Sequence, residues 1–216
     1  MLIMSTLAEL QAAGQFKVGQ LALLKGSIAT GDGGAAQYYW DPSSTETDTS
    51  ATTGDVIQVT GVTTGRWLLL NGGSTENVTD STLTAAKLTP NGKTYTINAA
   101  AGCAITLPAA VGSGNKVTFI IGTTVTSNTT TIKAASADDE FLGVVMQVDA
   151  DTGDALVAYP ALDADGFDTV TLDGSTTGGI LGDKFTFIDM GAGQWQLDGY
   201  ESGTGTVATP LSATVS

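Results

Sequence analysis

The 216-residue sequence has no histidine, one cysteine, five prolines and one arginine. Without imidazole there is no His-based catalytic triad, no His-ligated metal and no histidine pH switch. The single thiol, Cys103, excludes an internal disulfide framework and a cysteine zinc site. Charge is scarce, at 14% of residues against roughly 25% in an ordinary domain. What charge there is leans one way: 22 acidic residues stand against 8 basic ones, for a net charge of −14. Nucleic acid is therefore excluded as a partner, because phosphate neutralisation by Lys and Arg supplies most of that affinity. No apolar run approaches the ~18 residues of a transmembrane helix. Met1–Met4 lacks the basic and apolar segments of a signal peptide. The expectation is a chain with no membrane partner, made in the cytosol and either kept there or assembled there into something larger.

Threonine (35) and glycine (28) dominate what is present. Threonine and valine favour pleated strands, and glycine favours tight turns. Mean hydropathy is +0.16, whereas disorder goes with low hydrophobicity and high net charge. The chain reads as folded and mainly β. The length allows one large domain or two small ones. Between Thr94 and Ile132 the only charged residue is Lys116. Either a neutral, hydrated Thr/Ser surface or burial against another copy of the chain accounts for that.

Thr6 followed by Glu9 forms a capping-box pattern, and Gly14 is a natural stop, so the sequence predicts one short helix over 6–13. Strands are expected at 18–24, 35–42, 56–59, 65–70, 94–97, 103–107, 117–121, 130–134, 170–172, 184–189 and 194–198. A hairpin is expected from 141–148 and 155–159. The run Val117–Ile121 is apolar enough to be buried on both faces. In Tyr38-Tyr39-Trp40, alternation between core and surface competes with a glycan platform. The polar stretch 74–81 separates two compositional regimes. The organisation expected is an N-terminal β module with a short helix (1–73), a linker (74–81), a β-sandwich or barrel-like domain (82–200) and a flexible or docked tail (201–216). No repeat of fixed period appears, so a long β-helix solenoid is not indicated.

Two segments carry a resemblance. GDGGAAQYYWD at 31–41, an acidic Ser/Thr loop, DVIQV and then GRWLLL at 65–70 resemble the small N-terminal module of bacteriophage tailspikes and related virion proteins. The match covers about 15–71. The run ITLPAA…GSG…VTFIIG within 83–145 resembles β domains of marine phage virion proteins thought to lie near the head. These resemblances imply a structural virion protein, not an enzyme. The function expected is capsid decoration: a trimeric cement protein on the outer capsid surface that stabilises the shell. The partners implied are copies of itself in a homotrimer and the major capsid protein. A short tail-fibre or tailspike-anchor subunit, meeting tail or portal proteins, is the alternative. A glycan-binding surface protein is a third reading. Residues Gly31, Asp32, Gly33, Gly34, Arg66 and Trp67 are the interface candidates.

Chemistry candidates are few. The clusters Asp138-Asp139-Glu140 and Asp163/Asp165/Asp168 supply the only paired carboxylates a glycosidase could use, but both lie among turn residues, where aspartate bonds the local backbone. Asp149, Asp151 and Asp154 form a weak calcium candidate that lacks the EF-hand glycine and closing glutamate; a plain hairpin turn is the other reading. Arg66 either stacks or pairs locally, for instance with Asp41, or forks onto a carboxylate of another subunit. Cys103 reads as a buried, inert thiol. No cofactor is expected.

Overall fold

The computed structural model describes residues 1–12, 16–17, 20–25, 36–48, 56–70, 75–88, 92–151 and 155–215. The chain divides into two compact units, 1–74 and 75–216. It is mainly β, with one short α-helix and several sheets among the described residues, none closed into a barrel.

In the first unit β1 (Leu2–Met4) is followed by α1 (Leu7–Ala12), β2 (Leu21–Leu24), β3 (Ala36–Asp41), β4 (Val56–Gln58) and β5 (Arg66–Leu69). The sheet order is β1-β2-β3-β5-β4. The capping box forms: the Glu9 N–H donates to Thr6 Oγ1, and the Glu9 carboxylate reaches back to the Ser5 N–H at 2.7 Å. Leu10 is the one buried residue of α1. It joins Ala22, Leu24, Tyr38, Trp40, Ile57, Val59 and Trp67 in the unit's core. Alternation holds in β3, where Tyr38 and Trp40 are buried and Tyr39 is half-buried. β1 was not expected; it pairs parallel to β2.

The second unit begins with β6 (Thr75–Val78) and β7 (Thr82–Leu83), a 3-10 turn at Ala85–Lys87, β8 (Lys93–Ile97), β9 (Ala104–Thr106), β10 (Lys116–Ile121) and β11 (Thr130–Lys133). These strands alternate between two sheets. β6, β8 and β10 are parallel neighbours in one, and β7, β9 and β11 in the other. The chain therefore climbs through three stacked rungs, a short solenoid. Thr75, Thr94 and Thr118 stand in register, as do Thr82, Ala104 and Thr131. The stretch expected as a linker is thus the first rung: backbone pairing to β8, with Val78 and Leu83 in the core, outweighs its polar composition.

The remaining strands close the unit. β12 (Glu140–Asp149) and β13 (Ala155–Ala161) form the expected hairpin, β14 (Thr169–Leu172) lies antiparallel to β11, and β15 (Lys184–Gly191) lies antiparallel to β10. β16 (Gln194–Gly203) inserts between β15 and β12, and β17 (Leu211–Ser212) adds to β14. The seven-stranded order is β13-β12-β16-β15-β10-β8-β6; the five-stranded order is β17-β14-β11-β9-β7. Both sheets contribute to one core. A line of rings runs through it from Tyr95 to Phe119, Phe187 and Phe141, with centroids 5.0–6.1 Å apart. Each such side chain contributes ~1.5–3 kcal/mol by leaving water. β10 is not buried on both faces. Val117, Phe119 and Ile121 point into the core while Thr118 and Ile120 are half-buried outside, because the second sheet covers only one side. The tail expected to be loose or docked on a partner is docked on this chain: Glu201–Gly203 belongs to β16, and Leu211 packs into the core.

Candidate functional site

The first candidate lies around β5. Gly65 has φ +106°, and a Cβ there would run into the Trp40 ring. The glycine of the GRW motif is thus required by packing. Trp67 is fully buried, with its ring centroid 4.6 Å from Phe16 and 5.5 Å from Trp40. Arg66 is also buried. Its Nε donates to the Glu46 carbonyl at 2.8 Å and its Nη1 to the carbonyls of Thr63 and Gly65. The guanidinium ties the acidic loop to β5, and its burial removes the exposed stack that was one reading of it. Arg66 and Trp67, expected at an interface, serve the interior of this unit. The Gly31–Gly34 turn lies outside the described residues, as does the Asn71–Gly73 turn.

The acidic clusters are drawn into the backbone. Asp168 is buried and accepts from the N–H groups of Thr214 and Val215 and from the Thr169 hydroxyl. Asp165 accepts from the Leu162 N–H, and buried Asp139 from the Ala110 N–H. Burial pushes the Asp139 carboxyl up. In the calcium candidate, Asp149 and Asp151 accept from the N–H groups of Asp151 and Gly205 respectively, and Asp154 lies outside the described residues. Among the described residues no three His, Cys, Asp or Glu side chains are placed to hold a metal. Cys103 is buried, and desolvation, with Asp80 adding, pushes its thiol up to about 11.

The most connected acid was not singled out from the sequence. Asp189, on β15, caps the turn before β10. One oxygen accepts from the N–H groups of Val111 (3.0 Å) and Gly112 (2.7 Å), the other from the N–H (2.9 Å) and hydroxyl (2.6 Å) of Ser113. Burial alone would raise its pKa, but these donors outweigh that and hold it below the usual carboxylate range. The GSGN turn signal was visible in sequence; its partner nearly eighty positions on was not.

The surface candidate lies on the outward face of the seven-stranded sheet. A cavity of about 470 Å³ is lined by Met146, Val148, Leu156, Leu181 and Tyr200 together with Asp183 and Glu201. Leu156, Leu181 and Tyr200 are each more than half exposed. β13 beside it is an edge strand that, among the described residues, pairs only with β12. Lys184 Nζ sits 5.6 Å above the Tyr200 ring, close enough for a cation–π contact. This face offers apolar side chains and an unpaired strand edge, which suit docking better than bond-making.

No protein family and no curated protein matches the chain. Among solved structures, it is similar to the tailspike protein gp49 of Acinetobacter baumannii bacteriophage Fri1, a capsular polysaccharide depolymerase. The two are 19% identical over 74% of this chain and 28% of that one, with a TM-score of 0.31. This chain thus spans less than a third of that protein, and a likeness of this degree carries no conclusion about what the chain does.

Proposed function

We propose that the chain is a structural subunit of a bacteriophage virion that works by docking. The observation that carries this reading is the outward face of the seven-stranded sheet, with exposed Leu156, Leu181 and Tyr200 next to the unpaired edge of β13. A face of that kind on a sparsely charged chain suits a contact with copies of itself and with an assembled shell. Decoration of the head, as a cement protein bound to the major capsid protein, is the form of the proposal we put first. A subunit that binds only the assembled shell stabilises it by mass action. The net charge of −14 keeps free copies soluble and mutually repelling before they bind. The GDGG…GRW resemblance favours a second reading, a short tail-anchor subunit.

The deciding measurement is copy number. Purified particles are run on a gel, and this chain is quantified by densitometry against the major capsid protein. A ratio of the same order as the capsid protein is the result expected for decoration. A ratio at the level of tail proteins replaces decoration with the tail reading. Absence from particles overturns the virion reading altogether.

A further inference from the structure

Among the described residues of the second unit, one buried acid has no hydrogen-bond partner. Glu201, on β16, is buried, and neither carboxyl oxygen has a hydrogen-bond partner. Its register partner on parallel β12 is Gln147, fully buried, whose Oε1 is also without a partner. Cα partners on adjacent strands project their side chains to the same side of the sheet. Gln147 Nε2 is already committed, donating to the Thr176 carbonyl at 2.9 Å. The second Nε2 hydrogen reaches neither carboxyl oxygen, so three buried acceptors are left without a donor. A proton on Glu201 supplies the missing donor, since a protonated carboxyl can give one hydrogen bond to an amide oxygen.

What surrounds the pair makes the proton consequential. The loop 173–183 crosses directly over Glu201. Gly178, at φ +70°, stands so close that a Cβ there would meet the carboxyl. Asp173 shapes this loop by accepting from the N–H groups of Ser175 and Thr177 and the hydroxyl of Thr176. Asp183 closes it, accepting from the N–H groups of Gly179, Ile180 and Ser202. The C-terminal segment is then strapped onto the same loop. The Thr204 N–H donates to the Ser175 carbonyl, and the Ala208 N–H to the Thr176 carbonyl that also receives Gln147.

We propose that Glu201 is stored as a neutral acid bonded to Gln147, and that its ionisation loosens loop 173–178 and the C-terminal strap at 204–208. The titratable groups facing it are Asp183 and Asp173 on the loop and Tyr159 on β13. β12 contributes the neutral Gln147, and Lys184 of β15 is turned outward over Tyr200. Every ionisable neighbour is thus an acid, and none compensates a charge on Glu201. Burial first, then Asp183 and Asp173, push the Glu201 carboxyl up to about 8; burial pushes Asp183 up to about 6 against its three N–H donors.

The sign follows. A carboxyl whose closed-state pKa exceeds its open-state value binds its proton more tightly when closed. The closed strap is then favoured at acid pH. It weakens about tenfold per pH unit between the ordinary glutamate range, ~4.3, and the raised value, and is flat above it. This proposal is independent of where the protein sits on a particle.

The test is amide hydrogen exchange of Thr204 and Ala208 between pH 5 and 9, corrected for the intrinsic exchange rate, in the full chain and in Glu201→Gln. Protection in the parent should fall by about tenfold per unit up to pH ~8, whereas in Glu201→Gln any fall should end near pH 6, where Asp183 finishes titrating, and the profile should be flat from there to pH 8. Equal pH dependence in both chains overturns the proposal. Should the variant not fold, the ¹³C shift of the Glu201 carboxyl in the parent decides: a midpoint near 8 supports the stored proton, and one below 5 removes it. Calcium added at pH 7 should leave protection unchanged; a calcium-dependent rise would assign the three acceptors to a cation and overturn the proton.

Discussion

Replacing Asp189 should unseat the turn between β9 and β10. Its carboxylate holds three backbone N–H groups and one hydroxyl at 2.6–3.0 Å. In Asp189→Asn one oxygen keeps its two donors, but the other becomes an NH₂ group that faces the Ser113 N–H. Hydrogen bonds to a charged group are each worth ~1.5–3 kcal/mol, and a stranded buried donor costs ~1–3 kcal/mol. The loss expected at pH 7 is about 3 kcal/mol for Asn and more for Ala. For a unit of this size that is a fall in Tm of roughly 6–12 °C. The pH dependence is fixed in sign. A carboxylate held below its ordinary value contributes stability that is present above the unfolded value of ~3.9 and is lost as pH falls through the folded one. Urea unfolding of parent and variant at pH 7 and at pH 3 reads both quantities. A gap under about 1 kcal/mol at pH 7, or one that does not shrink at pH 3, would refute the capping role.

Gly174→Ala should destabilise the second unit by on the order of 3 kcal/mol, read by thermal unfolding. Gly174 has φ +82°, and its new Cβ would strike the Val125 carbonyl, which is backbone and cannot swing aside. Cys103 should resist iodoacetamide at pH 8 in the native protein and react once denaturant is added, because burial and a thiol pushed up to about 11 leave almost no accessible thiolate; mass spectrometry of the modified chain reads this. Arg66→Lys should cost about 1–2 kcal/mol in chemical denaturation, since one ammonium cannot serve the carbonyls of Glu46, Thr63 and Gly65 together.

Much of the strand content was legible because it rests on local signals. The capping box at Thr6 and Glu9, the alternation in Tyr38–Trp40 and the hairpin of β12 and β13 each lie within a short window. The rungs of the second unit do not. Thr75, Thr94 and Thr118 are equivalent, and so are Thr82, Ala104 and Thr131, but their spacings differ, so a search for a fixed period misses them. One faint signal was present. Asn98 Nδ2 donates to Asn77 Oδ1 at 3.2 Å, a polar step from one rung to the next, and paired asparagines at the corners of polar segments could have suggested stacking. The first rung reads as a linker in the sequence because Thr-Glu-Asn-Val is polar, yet a strand beside a stack needs only one inward apolar side chain, here Val78. The burial of Arg66 was also illegible. Local pattern shows that an arginine follows a glycine, not that the acidic loop folds back to offer it carbonyls.

The shortage of cations explains the second unit's architecture further. With 22 acids and 8 bases, most carboxylates have no side-chain counter-ion available. Buried ones must find another source of positive charge, and backbone N–H groups in glycine-rich turns provide it. Asp189 draws on the Val111–Ser113 turn, Asp183 on Gly179 and Ile180, Asp173 on Ser175 and Thr177, and Asp168 on Thr214 and Val215. Each of these contacts joins a strand or a loop to a segment that would otherwise be loose. Abundant glycine and scarce charge are then two sides of one solution, in which turns are shaped so that their N–H groups converge on an acid. Glu201 is the exception that tests this account. Its carboxyl meets the 173–183 loop at Gly178, but no N–H of that loop or of the neighbouring strands donates to it, and neutralisation by a proton is the remaining route. If Glu201 proves to be ionised at pH 5 in the folded protein, the rule that turns stand in for cations fails at the place where it makes its sharpest demand.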